Sequence, residues 1–72
     1  MKANINLNQG ESTKQHVERK VAKYLAKHDR IVPVKEVYEY LKQTDATVSR
    51  MTESGFEKLA TEQIMAHAMK HI

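Results

Sequence analysis

Apolar residues recur at helical spacing along most of the chain from residue 13 onward. In the first such stretch they are Val17, Val21, Tyr24 and Leu25. Steps of three and four residues place these side chains on one face of an α-helix. Ser12 and Gln15 have the spacing of a capping box, in which each side chain bonds the other residue's amide. The pattern therefore predicts a first helix over residues 13–28.

A proline interrupts this pattern and introduces the next helices. Pro33 cannot lie inside a helix but fits its first turn, so a second helix is predicted over residues 34–42. Thr44 is a suitable N-cap for a third helix over residues 45–53, because its hydroxyl can accept from the first amides. Asp45 would then lie favourably at the positive end of the helix dipole.

A fourth helix is predicted over residues 56–71, after a break at Gly55. Ser54 and Glu57 again have capping-box spacing, which indicates where the helix begins. The far end of this helix is apolar on several sides, more than one small core can cover. We expect the uncovered residues there to form an oligomer interface: Met65, Met69 and Ile72.

The four predicted helices indicate an all-α fold with one domain. We expect residues 1–12 to be a flexible N-terminal arm and residues 13–72 to be a single helical domain. Residues 56–72 have helical spacing and no hairpin turn signal, so no β-hairpin wing is expected. The predicted core consists of Val17, Val21, Tyr24, Leu25, Ile31, Val37, Leu41, Val48, Phe56, Leu59 and Ile64.

The charge of the chain is unevenly distributed. The 72 residues carry a net charge of +3 with a pI near 9.3. Residues 1–50 hold ten Lys or Arg against six Asp or Glu, whereas the remainder is slightly acidic. A polyanion such as nucleic acid should therefore meet the first two thirds of the chain.

Composition also excludes several classes of protein. The chain has no cysteine, so a disulfide framework or a thiolate metal site cannot form. No apolar run approaches the roughly 18 residues of a membrane span, and no signal-peptide pattern opens the chain. We therefore expect a cytoplasmic protein with no membrane contact.

Candidate catalytic and metal-binding groups are few. The only glycines are Gly10 and Gly55, so there is no glycine-rich phosphate loop, and we expect neither an enzyme nor a cofactor. His67 and His71 stand four residues apart, a geometry that lets two imidazoles share a metal ion. They lack a third convincing ligand, so they are interpreted as solvent-facing or interface histidines without a metal.

One stretch resembles a known DNA-binding unit. Residues 21–51, "VAKYLAKHDRIVPVKEVYEYLKQTDATVSRM", resemble the trihelical helix-turn-helix core of bacterial repressors, including winged ones. Residues 34–50 are also similar to the opening motif of the lac-repressor family, with which they share the tetrapeptide TVSR. The chain departs from the pattern at Tyr38, Lys42 and Gln43, where a small residue, a glycine and an apolar residue are usual. The resemblance implies sequence-specific binding of double-stranded DNA by a small transcriptional regulator.

The same resemblance assigns roles to individual residues. Two helices joined by a short turn cross steeply, so the second can enter the major groove by its N-terminal end. The residues available to the groove are Asp45, Ala46, Thr47, Ser49 and Arg50, with Val48 and Met51 as the anchor. The predicted DNA-contacting set is Thr47, Ser49 and Arg50, with Lys14, Lys35 and Lys42 on phosphates.

Two other functions remain open at this point. Asn4, Asn6 and Asn8 could lie on a strand of a ribbon-helix-helix dimer and contact the major groove. Alternatively, the apolar end of the fourth helix could bind a protein partner, as in a small phage- or plasmid-type inhibitor or adaptor. The same apolar surface equally suits a homodimer of a DNA-binding protein.

Overall fold

The computed structural model describes residues 12–72, and these residues form four helices and no β-strand. The helices are α1 Thr13–Leu25, α2 Val34–Thr44, α3 Ala46–Ser49 and α4 Glu53–Met69. The prediction of an all-α fold is confirmed. The predicted arm, and with it Asn4, Asn6 and Asn8, lies outside the described residues except for Ser12.

The start of α1 is the predicted capping box. The backbone amide of Gln15 donates to Ser12 Oγ at 3.1 Å, and the backbone amide of Ser12 donates to Gln15 Oε1 at 3.0 Å. The helix ends at Leu25 instead of residue 28. A tighter turn follows, in which the His28 amide donates to the Leu25 carbonyl at 3.0 Å.

The junction between α2 and α3 differs from the prediction. Thr44 is not an N-cap, because α2 continues through it and its hydroxyl donates back to the Tyr40 carbonyl at 3.1 Å. Asp45 occupies the cap position in an extended conformation and accepts from the Val48 amide at 3.0 Å. A single residue therefore ends one helix and begins the next.

The third helix is also shorter than predicted, and the fourth begins earlier. Only residues 46–49 are helical, because Thr52 caps α4 and accepts from the Gly55 amide at 3.0 Å. The predicted capping box at Ser54 and Glu57 is therefore wrong. Gly55 lies in the first turn of α4, where an added Cβ would stand 3.2 Å from Thr52 Oγ1, so glycine lets the cap close tightly.

The core lies where α1 and α2 pack against α4, with α3 packed on α2. Its buried members are Val17, Val21, Leu25, Val32, Val37, Tyr38, Leu41, Val48, Phe56, Ala60 and Ile64. Ile31 was predicted in the core but is exposed, and its neighbour Val32 is buried instead. Adjacent residues of an extended segment point to opposite sides, so only one of the two can face the core. Tyr24 and Leu59 pack against the edge of the core and are partly buried.

Two sets of hydrogen bonds fix the connection between α1 and α2. His67 on α4 donates through Nε2 to the carbonyls of His28 and Arg30, at 2.8 and 3.0 Å. Tyr24 on α1 bonds α2 directly, because its Oη donates to Glu36 Oε2 at 2.8 Å. His67 was interpreted as a solvent-facing or interface histidine, but it is half-buried and bonds the backbone of this connection.

Candidate nucleic-acid interface

The α3 turn displays part of the predicted DNA-contacting set. Ser49 and Arg50 are exposed and Thr47 is half-buried. Val48, between them, is fully buried, so it anchors the turn as predicted. Because one side chain of the turn is fixed in the core, the two exposed ones are held at a defined place on the surface.

Tyr38 explains how the turn is held although it departs from the helix-turn-helix pattern. Its hydroxyl donates to the Met51 carbonyl at 2.7 Å, just beyond the end of α3. Its ring packs against Phe56 on α4, with the ring centroids 5.4 Å apart. A small residue at this position could make neither contact. The large side chain therefore joins α2, the end of α3 and α4.

Asp45 faces inward and is not available to a DNA groove. Its carboxylate accepts from the Val48 amide at 3.0 Å and from His16 Nε2 at 2.9 Å. Burial alone would raise the pKa of Asp45, but the bonds from Val48 and His16 outweigh it and the pKa is lowered. The side chain is only 9% exposed. Its negative charge is therefore satisfied inside the protein.

His16 was not predicted to have any role at this site. Arg19 lies beside it and donates to His16 Nδ1 at 3.3 Å, which leaves Nε2 to donate to Asp45. The histidine is 29 positions from Asp45 in the chain, so no local spacing could have indicated the pair. Its location one position before buried Val17 was the only signal that it borders the core.

The three predicted phosphate contacts occupy different surroundings. Lys42 is exposed, with its Nζ 5.7 Å from the centre of the Tyr38 ring, so it lies beside the residues that hold α3. Lys35 is exposed two turns earlier on α2. Lys14 bonds Glu18 at 2.8 Å and lines a groove between α1 and α4. The structure therefore brings Lys42 together with the α3 turn, but not Lys14.

A second group of lysines borders a groove between α1 and α2. The groove is lined by Lys20, Lys23, Tyr24, Lys27, Tyr40, Leu41 and Thr44. The sequence analysis assigned no role to Lys20, Lys23 or Lys27. Their spacing of three and four residues indicated that they could lie close together. Tyr40 could not be assigned to the same groove from local spacing, because it comes from another helix.

The residues of the predicted oligomer interface are exposed at the end of α4 and just beyond it. The accessible fractions of Met65, Met69 and Ile72 are 59%, 71% and 94%. Met65 and Met69 stand four residues apart on one side of α4, and Ile72 follows the end of the helix.

No candidate metal centre is present in the described part of the chain. Residues 12–72 contain no group of three or more His, Asp or Glu side chains arranged to hold a metal ion. His67 and His71 do lie close together, with ring centroids 4.6 Å apart. His67, however, directs Nε2 at two backbone carbonyls.

None of the helices within residues 12–72 combines the length and the apolar character that crossing a membrane requires.

Comparisons of the chain with protein-family models, with curated proteins and with solved structures find no match.

Proposed function

We propose that this protein binds double-stranded DNA in a sequence-dependent manner through the α3 turn, and that it acts as a small transcriptional regulator in the cytoplasm. One observation carries the proposal. Ser49 and Arg50 are exposed on a turn whose neighbouring acid, Asp45, is bonded inside the protein. The repulsion that a carboxylate would exert on DNA phosphates is thereby reduced at this surface.

Arg50 is the group best suited to a base contact. None of the ion pairs formed within residues 12–72 involves it, so its guanidinium donors are available to a ligand. A guanidinium can donate two parallel hydrogen bonds to O6 and N7 of guanine in the major groove. Such a pair contributes about 1–3 kcal/mol of discrimination against the wrong base. Ser49, next to it, can bond either a base edge or a phosphate.

The length of α3 limits how many bases it can contact. Four residues of helix extend about 6 Å, so one turn enters the groove and most of the affinity must come from phosphates. Lys35 and Lys42 are the candidates, because they lie two turns apart on one side of α2. Glu39 lies on that side between them, and its repulsion of phosphate subtracts from what the lysines contribute.

Pairing of two copies through α4 would present two α3 turns and so enlarge the small DNA interface of one copy. A single DNA-binding module buries about 600–1,000 Å² of protein surface, and a twofold dimer meets two half-sites. Met65, Met69 and Ile72 supply an exposed apolar surface for such pairing. We propose that the DNA-bound form is a homodimer formed through this surface.

Selection of duplexes from a random library tests the proposal. We expect one short sequence to be enriched over repeated rounds, and its binding to persist near 150 mM salt. Absence of enrichment, together with loss of all binding at that salt concentration, would leave only the non-specific attraction of a basic surface. That result would contradict sequence-dependent binding.

A protein-binding function is the second candidate, and the exposed end of α4 favours it. Light scattering separates it from the homodimer, which should have twice the 8.3 kDa chain mass. Met69→Lys should return the dimer to a monomer, because it buries a charge in the apolar seam. Glu62→Lys is the control, since this exposed residue lies on the same helix three residues before Met65 and is not part of the proposed seam. A wild-type monomer at millimolar concentration would instead favour a different protein as the partner of α4.

A further inference from the structure

The groove between α1 and α2 encloses about 170 Å³ and is basic on one side. Lys20 and Lys23 lie three residues apart on one face of α1, and Lys27 lies in the turn that follows the helix; all three line the groove. Among residues 12–72, no acidic side chain lines the groove. Three like charges that line one groove repel one another, so an anion placed between them would relieve that repulsion.

Two acids close to the groove already have partners other than its lysines. Glu36 bonds Arg30 and Tyr24, and Asp45 bonds His16. None of the ion pairs formed within residues 12–72 involves a lysine of the groove. Lys20 is half-buried and its charge acts on Asp45, whereas Lys23 and Lys27 are exposed. Lys23 and Lys27 are therefore the most accessible of the three to an incoming anion.

Two aromatic rings also line the groove, Tyr24 from α1 and Tyr40 from α2. The rings of Tyr24 and Tyr40 lie with their centroids 4.7 Å apart. Tyr24 is held in place, because its hydroxyl bonds Glu36 and its ring also lies 4.3 Å from the His28 ring. Tyr40 is 45% exposed, so part of its ring surface is open to a ligand.

We infer that this groove binds a nucleotide of an unpaired strand, with its phosphates on Lys23 and Lys27 and its base stacked on Tyr40. Proteins bind single-stranded nucleic acid with this combination of a basic groove and aromatic side chains on which bases stack. A paired base in a duplex cannot offer its face in this way, because neighbouring bases cover it. The ligand is therefore distinct from the duplex proposed for α3, and the inference does not depend on that proposal.

Fluorescence anisotropy with a labelled oligothymidylate tests the inference, because this strand does not form a duplex with itself. Lys23→Ala and Lys27→Ala should each weaken binding and reduce the slope of log affinity against log salt by about 0.7. Tyr40→Ala should weaken binding by about 5- to 150-fold, whereas Tyr40→Phe should retain it because the ring remains. Circular dichroism of each variant verifies that it folds.

A matched control separates the groove from the overall charge. Lys58→Ala removes one exposed lysine from the groove between α1 and α4. It should leave the affinity for oligothymidylate nearly unchanged. Equal losses in Lys58→Ala, Lys23→Ala and Lys27→Ala would overturn the inference, because net charge alone would then account for binding.

Competition distinguishes a strand from a free nucleotide as the source of the bound group. Thymidine monophosphate should displace the labelled strand only at a much higher concentration, since it offers fewer phosphates. Inorganic phosphate at the same concentration should displace less than thymidine monophosphate, because it has no base to stack on Tyr40. If inorganic phosphate competes equally well and Tyr40→Ala binds normally, the assignment of a nucleotide is wrong. The duplex selection that tests DNA binding by α3 can fail or succeed independently of these results.

Discussion

The two connections that turn the chain between its long helices are stabilised in different ways. Residues 26–33, the first connection, are held by buried Val32, by the bonds from half-buried His67 to two carbonyls, and by the partly exposed ion pair of Arg30 and Glu36. Residues 45–52, the second connection, are held by groups turned toward the core. Buried bonds resist salt and water better than exposed ion pairs do. The second connection also carries the residues proposed to contact DNA, where a fixed geometry matters most.

Among the variants that test this comparison, Asp45→Ala should lower the free energy of unfolding most. The substitution removes the N-cap of α3 and the partner of His16, so we expect a loss of about 2 kcal/mol in the free energy of unfolding. Thr52→Ala removes the cap of α4, which has no second partner, and should cost about 1 kcal/mol. Urea unfolding of both variants measures the difference. Equal losses would mean that the bond to His16 contributes nothing to the second connection.

A smaller effect is expected from Tyr38→Phe, which keeps the ring and removes only the hydroxyl. The Met51 carbonyl then loses its side-chain partner, at a cost of about 1 kcal/mol. Tyr40→Phe is the matched control at an exposed position and should stay within about 0.5 kcal/mol of the wild type. The urea midpoints of the two variants, compared at a constant m-value, give both changes in the free energy of unfolding. If the two variants unfold alike, the hydroxyl of Tyr38 does not stabilise the end of α3.

The smallest effect at neutral pH, and the clearest in acid, concerns Glu36, the α2 residue that pairs with Arg30 of the first connection. Hydrogen bonds from Arg30 and Tyr24 lower the pKa of Glu36 from 4.5 to about 2. The folded state therefore binds fewer protons than the unfolded state in this range, so this stabilisation is present above pH 4.5 and is lost as the pH falls toward 2.

Glu36→Gln should flatten the fall in stability between those two pH values. Thermal unfolding at a series of pH values, at low and at high salt, measures this effect. Glu39→Gln, one helical step away and without an ion pair among residues 12–72, is the control and should leave the pH profile nearly unchanged. A Glu36→Gln profile as steep as that of the wild type would show that other carboxylates cause the acid sensitivity.

Local patterns were sufficient to predict much of the fold. The capping box at Ser12 and the buried stripe of α1 depend only on residues within a few positions of each other, and both are confirmed. The limits of α3 could not be predicted in this way, because Thr44, Asp45 and Thr52 are all good caps. Which of them is used depends on distant partners, such as His16 for Asp45.

The same distinction applies to the candidate sites. The buried anchor Val48 and exposed Arg50 follow from the order of polar and apolar residues around α3. The basic groove could not be derived from local order, because Tyr40 meets the lysines of α1 only after two helices pack together. The alternation of Ile31 and Val32 was ambiguous for a related reason. Either residue could have faced the core until the direction of the first connection was fixed.

Discrimination by Arg50 at a single base pair tests the proposed DNA binding most directly. Wild type, Arg50→Ala and the control Lys58→Ala are titrated with the selected duplex and with duplexes changed at one position each. The proposal predicts that Arg50→Ala loses about 1–3 kcal/mol of discrimination at one guanine and that Lys58→Ala keeps it. If Arg50→Ala weakens binding to every duplex equally, or changes nothing, the α3 turn does not recognise a base and the proposed function is contradicted.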